Sequence, residues 1–96
     1  MASNFQILSY KTKDSLHLKL DGDFDGNSAY ELINALREDG AKFFQIFIDT
    51  NNLKTIHPFG QAVFQNNFTI KRLSRFLTFI GKHGNTMALS ESNLVF

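Results

Sequence analysis

The chain has 96 residues, a length that suits one compact domain and is too short for two. With 43% hydrophobic residues, 20% charged residues and a formal net charge of +1, it is typical of a folded globular domain and has no general attraction to nucleic acid or to anionic membranes. The absence of cysteine excludes disulfides, thiol catalysis and thiolate zinc sites, and the lack of a long apolar run or a signal segment predicts a cytoplasmic protein without membrane insertion.

Two strands joined by a hairpin are predicted at the start of the chain. Residues 5–11 form the first strand, and Leu16, Leu18 and Leu20 alternate with polar residues, which is the period of a half-buried strand. The polar residues 12–15 are short enough for the turn between them. Gly22 is predicted to end the second strand. The eleven phenylalanines, with no tryptophan, predict that most of the phenyl rings lie in the core, since this side chain has no polar group.

The first helix is predicted from a capping box at Ser28 and Glu31, in which both side chains bond free amides of the first turn. Gly40 is placed to end this helix. The apolar residues that follow at helical spacing are Ala29, Leu32, Ile33 and Leu36.

A third strand is predicted at residues 43–48, because this run is apolar on both faces except at Gln45. Such a strand is covered on both faces or central in a sheet. Residues 49–55 are predicted to be a polar loop. From the clearest strands and the best-capped helix, six residues are predicted to be nearly fully buried: Leu18, Leu20, Leu32, Leu36, Ile46 and Ile48.

A second helix is predicted from Pro58 to about residue 73, because the fixed φ of proline suits the first helical turn. Phe64 and Phe68 lie four residues apart and form a second apolar stripe on this helix. The candidates for its buried face are Phe59, Ala62, Val63 and Ile70.

A fourth strand is predicted at residues 76–80 and is closed by Gly81. Residues 82–96 are weakly patterned, with one short helix expected around residues 86–90 and no assignment for residues 94–96. The order β-β-α-β-α-β predicts an α/β fold with a mixed, mainly parallel sheet and helices packed largely on one face.

No catalytic, metal or cofactor site is predicted. The sequence has no Gly-x-Ser-x-Gly elbow, no His-Glu-x-x-His helix and no phosphate-cradling glycine loop. Asp21, Asp23 and Asp25 alternate as in a calcium loop, but no Glu follows at the twelfth position. His57 has two interpretations, a pH-sensitive contact or a solvated turn residue, and the second is favoured because the histidine has no partner.

Two segments together resemble the STAS domains of sulfate transporters and of bacterial anti-sigma-factor antagonists. Residues 22–29 (GDFDGNSA) are similar to the G-E-L-D-x-x-x-A entry to the first helix of that family. Residues 48–60 (IDTNNLKTIHPFG) are similar to its second signature, a buried strand followed by a polar loop and an Asp-Ser pair that opens the second helix. The resemblance covers residues 5–81 and implies a STAS-like fold.

This chain departs from the family pattern at two places. His57 and Pro58 stand at the Asp-Ser pair, so the hydroxyl that is phosphorylated in signalling members of the family is missing. The nearest hydroxyls belong to Thr50 and Thr55. The second departure is at the C-terminus, where residues 81–96 leave room only for a shortened or atypical version of the family's last elements.

The resemblance implies a non-catalytic protein-interaction module in bacterial regulation, with an antagonist of an anti-sigma factor as the leading case. The partner would be an anti-sigma factor of the kinase type. An alternative is an accessory subunit of a transporter assembly, including those that move lipids, and a small enzyme using His57 with Asp25 or Asp49 is a weaker one. The residues expected to bind the partner are Asp23, Phe24, Asp25, Gly26, Asn27, His57, Pro58, Phe59 and Gly60.

Two residues of this set carry specific expectations. Phe59 is either an anchor that fills a pocket of the partner or a core residue packed with Val63, one turn further on. Gly60 is expected to mark a close approach of the second helix to the sheet or to a partner, because glycine within a helix otherwise costs about 1 kcal/mol relative to alanine.

Overall fold

The computed structural model describes residues 4–95, apart from the side chain of Ala41. Short 3-10 turns at Gly40–Lys42 and Ser74–Phe76 lead into two of the strands. The strands and helices are, in chain order, β1 (Gln6–Lys11), β2 (Ser15–Phe24), α1 (Gly26–Asp39), β3 (Gln45–Ile56), α2 (Pro58–Asn66), α3 (Phe68–Leu73), β4 (Leu77–Ile80), α4 (Gly84–Met87) and β5 (Asn93–Val95).

The five strands form one sheet in the order β1-β2-β3-β4-β5. β1 pairs antiparallel with β2, and every later pair is parallel. Parallel neighbours need crossover connections, and right-handed crossovers that step across a sheet in one direction put their helices on one face. The predicted fold class, α/β with a mixed and mainly parallel sheet, is therefore confirmed.

The core lies between this helical layer and the sheet. β2 alternates buried and more exposed residues along its length, and its buried side faces the helices. The prediction of nearly full burial is confirmed for all six residues, which are at most 2% exposed: Leu18, Leu20, Leu32, Leu36, Ile46 and Ile48.

The prediction that most phenylalanine rings lie in the core is wrong. Among the described residues only four rings are buried, and they meet edge to face in a row: Phe5 with Phe24, Phe24 with Phe64, and Phe64 with Phe79. Four other rings are exposed to solvent, so large apolar side chains lie on the surface of the protein. The exposed rings are those of Phe44, Phe59, Phe68 and Phe76.

Two further predictions fail in the region where β2 pairs with β3. Gly22 does not end β2; it lies inside the strand at a positive φ of 98°, a conformation that favours glycine. Residues 49–55 are not a loop, because β3 continues to Ile56. The register shifts twice in this stretch, and each shift places one extra residue in β3. These bulges disturb the two-residue period that identifies a strand.

The second helix begins at Pro58 as predicted but is broken at Asn67. The Asn67 side chain accepts hydrogen bonds from the amides of Thr69 (2.9 Å) and Ile70 (3.3 Å), which makes it the N-cap of α3. The predicted buried face is wrong in part. Ile70 is buried, but Phe59 and Ala62 are exposed, and Val63 is half-buried.

The C-terminal segment supplies a helix and a strand. α4 lies two residues earlier than the predicted helix, and the side-chain amide of Gln65 on α2 donates to the carbonyls of Met87 (3.3 Å) and Ala88 (3.1 Å) at its end. Leu94 and Val95 belong to β5, whereas Phe96 lies outside the described residues. None of the helices within residues 4–95 is long and apolar enough to cross a bilayer.

Candidate partner-binding surface

The two segments with expected binding residues meet at the carboxyl ends of neighbouring strands. β2 ends at Phe24 and β3 ends at Ile56, and the strands run parallel, so the chain segments that follow them leave the sheet at the same edge. The backbone amide of His57 donates to the carbonyl of Phe24 at 2.9 Å. We call residues 23–27 and 57–60 together the candidate surface.

Asp25 fixes the entry to α1. Its Oδ1 accepts a hydrogen bond from the backbone amide of Ser28 at 2.9 Å, which makes Asp25 the N-cap. The predicted capping box is therefore wrong. Ser28 lies within the helix and is buried, and its Oγ donates to the carbonyl of Asp23 at 2.8 Å. The cap holds the loop of the candidate surface against the start of the helix.

Both carboxylates of the candidate surface are stabilised in their charged form. The hydroxyl of Thr55 donates to Asp23 Oδ1 at 2.7 Å, and the amide of Asn4 donates to Oδ2 at 3.1 Å; these bonds, the Thr55 bond first, lower the pKa of Asp23. The backbone amide of Ser28 lowers the pKa of Asp25 in the same way. The loop therefore presents fixed negative charge at neutral pH.

Close contacts between glycine and its neighbours lock the two halves of the surface together. A Cβ on Gly60 would lie 2.6 Å from the carbonyl oxygen of Asp25, and a Cβ on Gly26 would lie 2.8 Å from the ring of Phe59. Both distances are shorter than any ordinary carbon contact. The start of α2 can approach the loop backbone this closely only because Gly60 has no side chain, as expected, whereas the exposed Phe59 ring could move away from a Cβ on Gly26.

Exposure separates the nine expected binding residues into three groups: four are exposed, three are partly exposed and two are buried. Phe59 is 69% exposed, so the interpretation of this ring as a core residue beside Val63 is wrong. Asn27, His57 and Pro58 are exposed as well. Asp23, Asp25 and Gly26 are partly exposed.

The prediction that Phe24 binds the partner is not supported by its position. Its side chain is fully buried and packs edge to face against Phe5 and Phe64, so it cannot contact a partner. The alternation that begins at Leu16 continues without a break through Gly22 to Phe24, and this period places the ring on the core side. Gly60 is buried too, and it contributes by the close contact with the loop.

Sequence reasoning missed a contact of one residue and the exposure of another. Thr55 is predicted only as a hydroxyl near Pro58, and its hydrogen bond to Asp23 was not foreseen. Tyr30, the fifth residue of α1, is exposed. It lies on the polar side of the apolar stripe of that helix, so the helical period alone identifies it as a surface aromatic.

The hydroxyls nearest to Pro58 have different surroundings. Thr50 is fully buried; its Oγ1 donates to the carbonyl of Ile80 at 2.8 Å and accepts from the amide of His83 at 3.2 Å. Thr55 is exposed and faces the carboxylate of Asp23. Within residues 4–95 no three His, Asp or Glu side chains come together as a metal site would require.

Comparison with known proteins identifies the fold. No protein-family model and no curated protein matches the sequence. Among solved structures, the anti-sigma factor antagonist SpoIIAA in its unphosphorylated form matches with a TM-score of 0.66 and 9% identity, over 96% of this chain and 87% of that one.

Two other solved structures are similar to this chain in fold. An antisigma-factor antagonist STAS domain from Rhodobacter sphaeroides matches with a TM-score of 0.62 and 13% identity, over 94% of this chain and 97% of its own. A DUF3478-family protein with a SpoIIAA-like fold from Shewanella loihica matches with a TM-score of 0.63 and 15% identity, over 99% and 90%. The chain has the SpoIIAA-like STAS fold that its two sequence segments predicted.

Proposed function

We propose that this chain is a non-catalytic protein-interaction module of bacterial regulation, which acts in the manner of an anti-sigma-factor antagonist in the cytoplasm. The observation that carries the proposal is the ring of Phe59, which is exposed at the start of α2 and lies close to Gly26. Buried aromatic anchors surrounded by weaker contacts supply most of the energy in protein interfaces. The fold shared with two antagonists of anti-sigma factors supports the same function.

The partner in this proposal is another protein, an anti-sigma factor of the kinase type in the leading case. The fixed carboxylates of Asp23 and Asp25 lie on the same surface as the Phe59 ring. A large apolar anchor beside oriented charges provides both affinity and orientation, since complementary charges mainly set specificity and association rate. Phe24 has no part in the contact, because its ring is fully buried.

The proposed binding is independent of phosphorylation. Pro58 has no hydroxyl, and Thr50 is buried with its oxygen in two hydrogen bonds. A phosphate on Thr55 would add a charge of about −1.5 to −2 next to the carboxylate of Asp23, which repulsion disfavours. Binding is then set by the concentrations of the two proteins.

The proposal assigns no catalysis to this surface. Oδ1 of Asp25 is engaged by the amide and the hydroxyl of Ser28, so it serves as a helix cap. Asp49 is in β3, where its Oδ1 accepts a hydrogen bond from the amide of Asn51 at 2.9 Å. Neither carboxylate is hydrogen-bonded to His57 among the described residues, as a general base and its orienting acid would be.

The test is to capture the partner from a lysate of the native host on the immobilised chain, identify it by mass spectrometry and measure its Kd by calorimetry. Phe59→Ala is expected to raise the Kd about tenfold or more, since burying a phenyl ring is worth roughly 1.5–3 kcal/mol. Tyr10→Ala is the matched control, because Tyr10 is similarly exposed (66%) but lies on β1, outside the candidate surface.

Equal effects of Phe59→Ala and Tyr10→Ala on the Kd would contradict the proposed surface. The identity of the captured protein decides between the two biological settings. An anti-sigma factor supports the proposed function, and an ATPase or permease of a transporter would instead make this chain an accessory subunit of that assembly.

A further inference from the structure

A groove of about 710 Å³ lies at the end of the sheet opposite the candidate surface. Its walls come from the C-terminal end of α1, the turn before β3, and α3 with the turn that follows it. β3 and β4 begin here, whereas the candidate surface lies where β2 and β3 end. The side chains that define it are three aromatics, Phe43, Phe44 and Phe76, and three cations, Arg37, Lys42 and Arg72. We call it the basic groove.

The aromatic rings of the basic groove are open to solvent. Phe44 is 76% exposed and Phe76 is 41% exposed, while Phe43 packs partly against the core. The backbone amide of Phe44 donates to the carbonyl of Asp14 at 3.1 Å, which fixes the main chain at this residue beside the start of β2. A neighbouring ring, Phe68 on α3, is exposed as well. Apolar groups gathered in this way mark a binding site more often than a plain surface.

The charge of the basic groove has one sign. No Asp or Glu is among its described lining residues. Lys42 Nζ lies 3.9 Å from a carboxylate oxygen of Asp39, which also pairs with a second lysine. Arg37 and Arg72 have no carboxylate within 4 Å among the described residues; Arg72 instead lies over the ring of Phe68 at 5.7 Å. Arg37 donates one hydrogen bond to Asn34 Oδ1 at 3.3 Å, and the other donors of the two guanidinium groups have no carboxylate partner in the part of the chain that the structure describes, so they can bind an anionic ligand.

We propose that the basic groove binds an acidic amphipathic segment of a second protein, with apolar side chains of that segment on Phe44 and Phe76 and its carboxylates on Arg37 and Arg72. Guanidinium groups bind carboxylates through two parallel hydrogen bonds, and an amphipathic helix fits its apolar face into such a groove. The exposed rings favour a protein segment over a lipid, because an acyl chain needs a cavity that encloses most of its surface.

With the basic groove as a second binding surface, the chain can bind two partners. Because the two surfaces lie at opposite ends of the parallel strands, two protein partners can be bound at the same time. The chain then acts as a connector between them. This inference is independent of the proposed function, since it uses none of the residues of the candidate surface.

The experiment uses the ¹⁵N-labelled full chain and a synthetic helical peptide of about 18 residues, long enough to be helical, with leucine and phenylalanine on one face and glutamate beside them. We expect shifts in the amide signals of residues 36–44 and 69–76. Arg72→Glu and Phe44→Ala are expected to raise the Kd about tenfold or more, and Phe59→Ala should leave it unchanged. The double variant Arg37→Glu with Arg72→Glu should instead bind the same peptide carrying lysine in place of glutamate.

Three results would overturn the proposal. The first is equal binding of the glutamate and lysine peptides to the native chain. The second is a set of shifts outside the basic groove, or none. The third is that vesicles of phosphatidylglycerol shift the groove amides while the acidic peptide does not, which would assign the groove to a lipid. Circular dichroism of each variant shows that it is folded.

Discussion

Gly60 shows how one residue can join a helix to a loop. The position tolerates no Cβ, because the carbonyl of Asp25 occupies the space at 2.6 Å. Glycine in the first turn of a helix is otherwise unfavourable, so its presence here reflects the contact and not the helix. The ring of the preceding residue, Phe59, lies close to Gly26 in the same loop.

Gly60→Ala is therefore expected to lower the free energy of unfolding by about 1–3 kcal/mol, the usual effect of forcing an extra carbon into a filled site. The measurement is urea denaturation followed by circular dichroism. Ala62→Gly, at an exposed position of the same helix, is the matched control and should lose about 1 kcal/mol through helix propensity alone. If Gly60→Ala were stabilising, the propensity gain would outweigh the contact and the close approach would be refuted.

The hydrogen-bonded carboxylates of Asp23 and Asp25 predict how stability depends on pH. A carboxyl whose pKa is lowered by folding contributes stability that is present above its unfolded value, about 3.8 for Asp25, and that is lost as the pH falls through the lowered folded value. Asp25→Asn keeps a good N-cap but removes the charge. The native chain should exceed this variant in melting temperature at pH 6, and the difference should shrink as the pH falls below about 4. A difference that stays constant with pH would contradict the assignment.

The residues around Pro58 predict resistance to phosphorylation. Incubation with ATP and whichever kinase the capture supplies should leave the intact mass unchanged, because Thr50 is buried and Thr55 faces Asp23. Asp23→Asn removes the repulsion between a phosphate on Thr55 and the carboxylate of residue 23, so this variant tests whether that charge protects Thr55. A full equivalent of phosphate on Thr55 of the native chain would restore a switch at a displaced site.

At the scale of elements, the predictions succeeded where the hydrophobic period was regular and failed where backbone irregularities interrupt it. The alternation of β2 and the stripe of α1 gave the correct core. The predicted third strand ends at residue 48, whereas β3 continues to Ile56. Two bulges shift the register of this polar end, so it has no two-residue period to recognise. No local pattern reveals such a bulge, since it exists only in the pairing with β2.

Asn67 caps α3 and so separates it from α2. The apolar stripe that runs across this position predicts one continuous helix instead. Asn67→Ala is expected to lower the free energy of unfolding by about 0.5–2 kcal/mol, because the amides of Thr69 and Ile70 lose their acceptor. Asn66→Ala, at the exposed neighbouring position, should change it by less than about 0.5 kcal/mol. Chemical denaturation measures both. Similar losses for the two variants would mean that Asn67 does not act as a cap.

The candidate site was partly predictable for the same reason. The sequence identified both segments, because polar residues after a strand and a proline at a helix start are recognisable. It could not show that Phe59 is exposed, since its spacing to Val63 fits a buried stripe equally well. It also missed Thr55, whose role depends on a contact with Asp23, 32 residues away along the chain.

At the scale of the whole molecule, the exposed phenylalanines divide between the two ends of the sheet. Phe59 lies at the carboxyl ends of β2 and β3, and Phe44 and Phe76 lie where β3 and β4 begin. The helices cover one face of the sheet, so the surfaces at its two ends are separated by the core. The fold thus leaves two independent places where apolar side chains can meet other proteins.

The central claim is that a partner binds the candidate surface, and the most direct test is a titration of the ¹⁵N-labelled chain with the captured partner. The account predicts that the amide signals of residues 23–30, of His57 and of residues 59–61 shift or broaden first. Signals from the opposite face of the sheet, such as those of Tyr10, His17 and Phe47, should stay in place. Perturbations confined to that face, with residues 57–61 unchanged, would contradict the account.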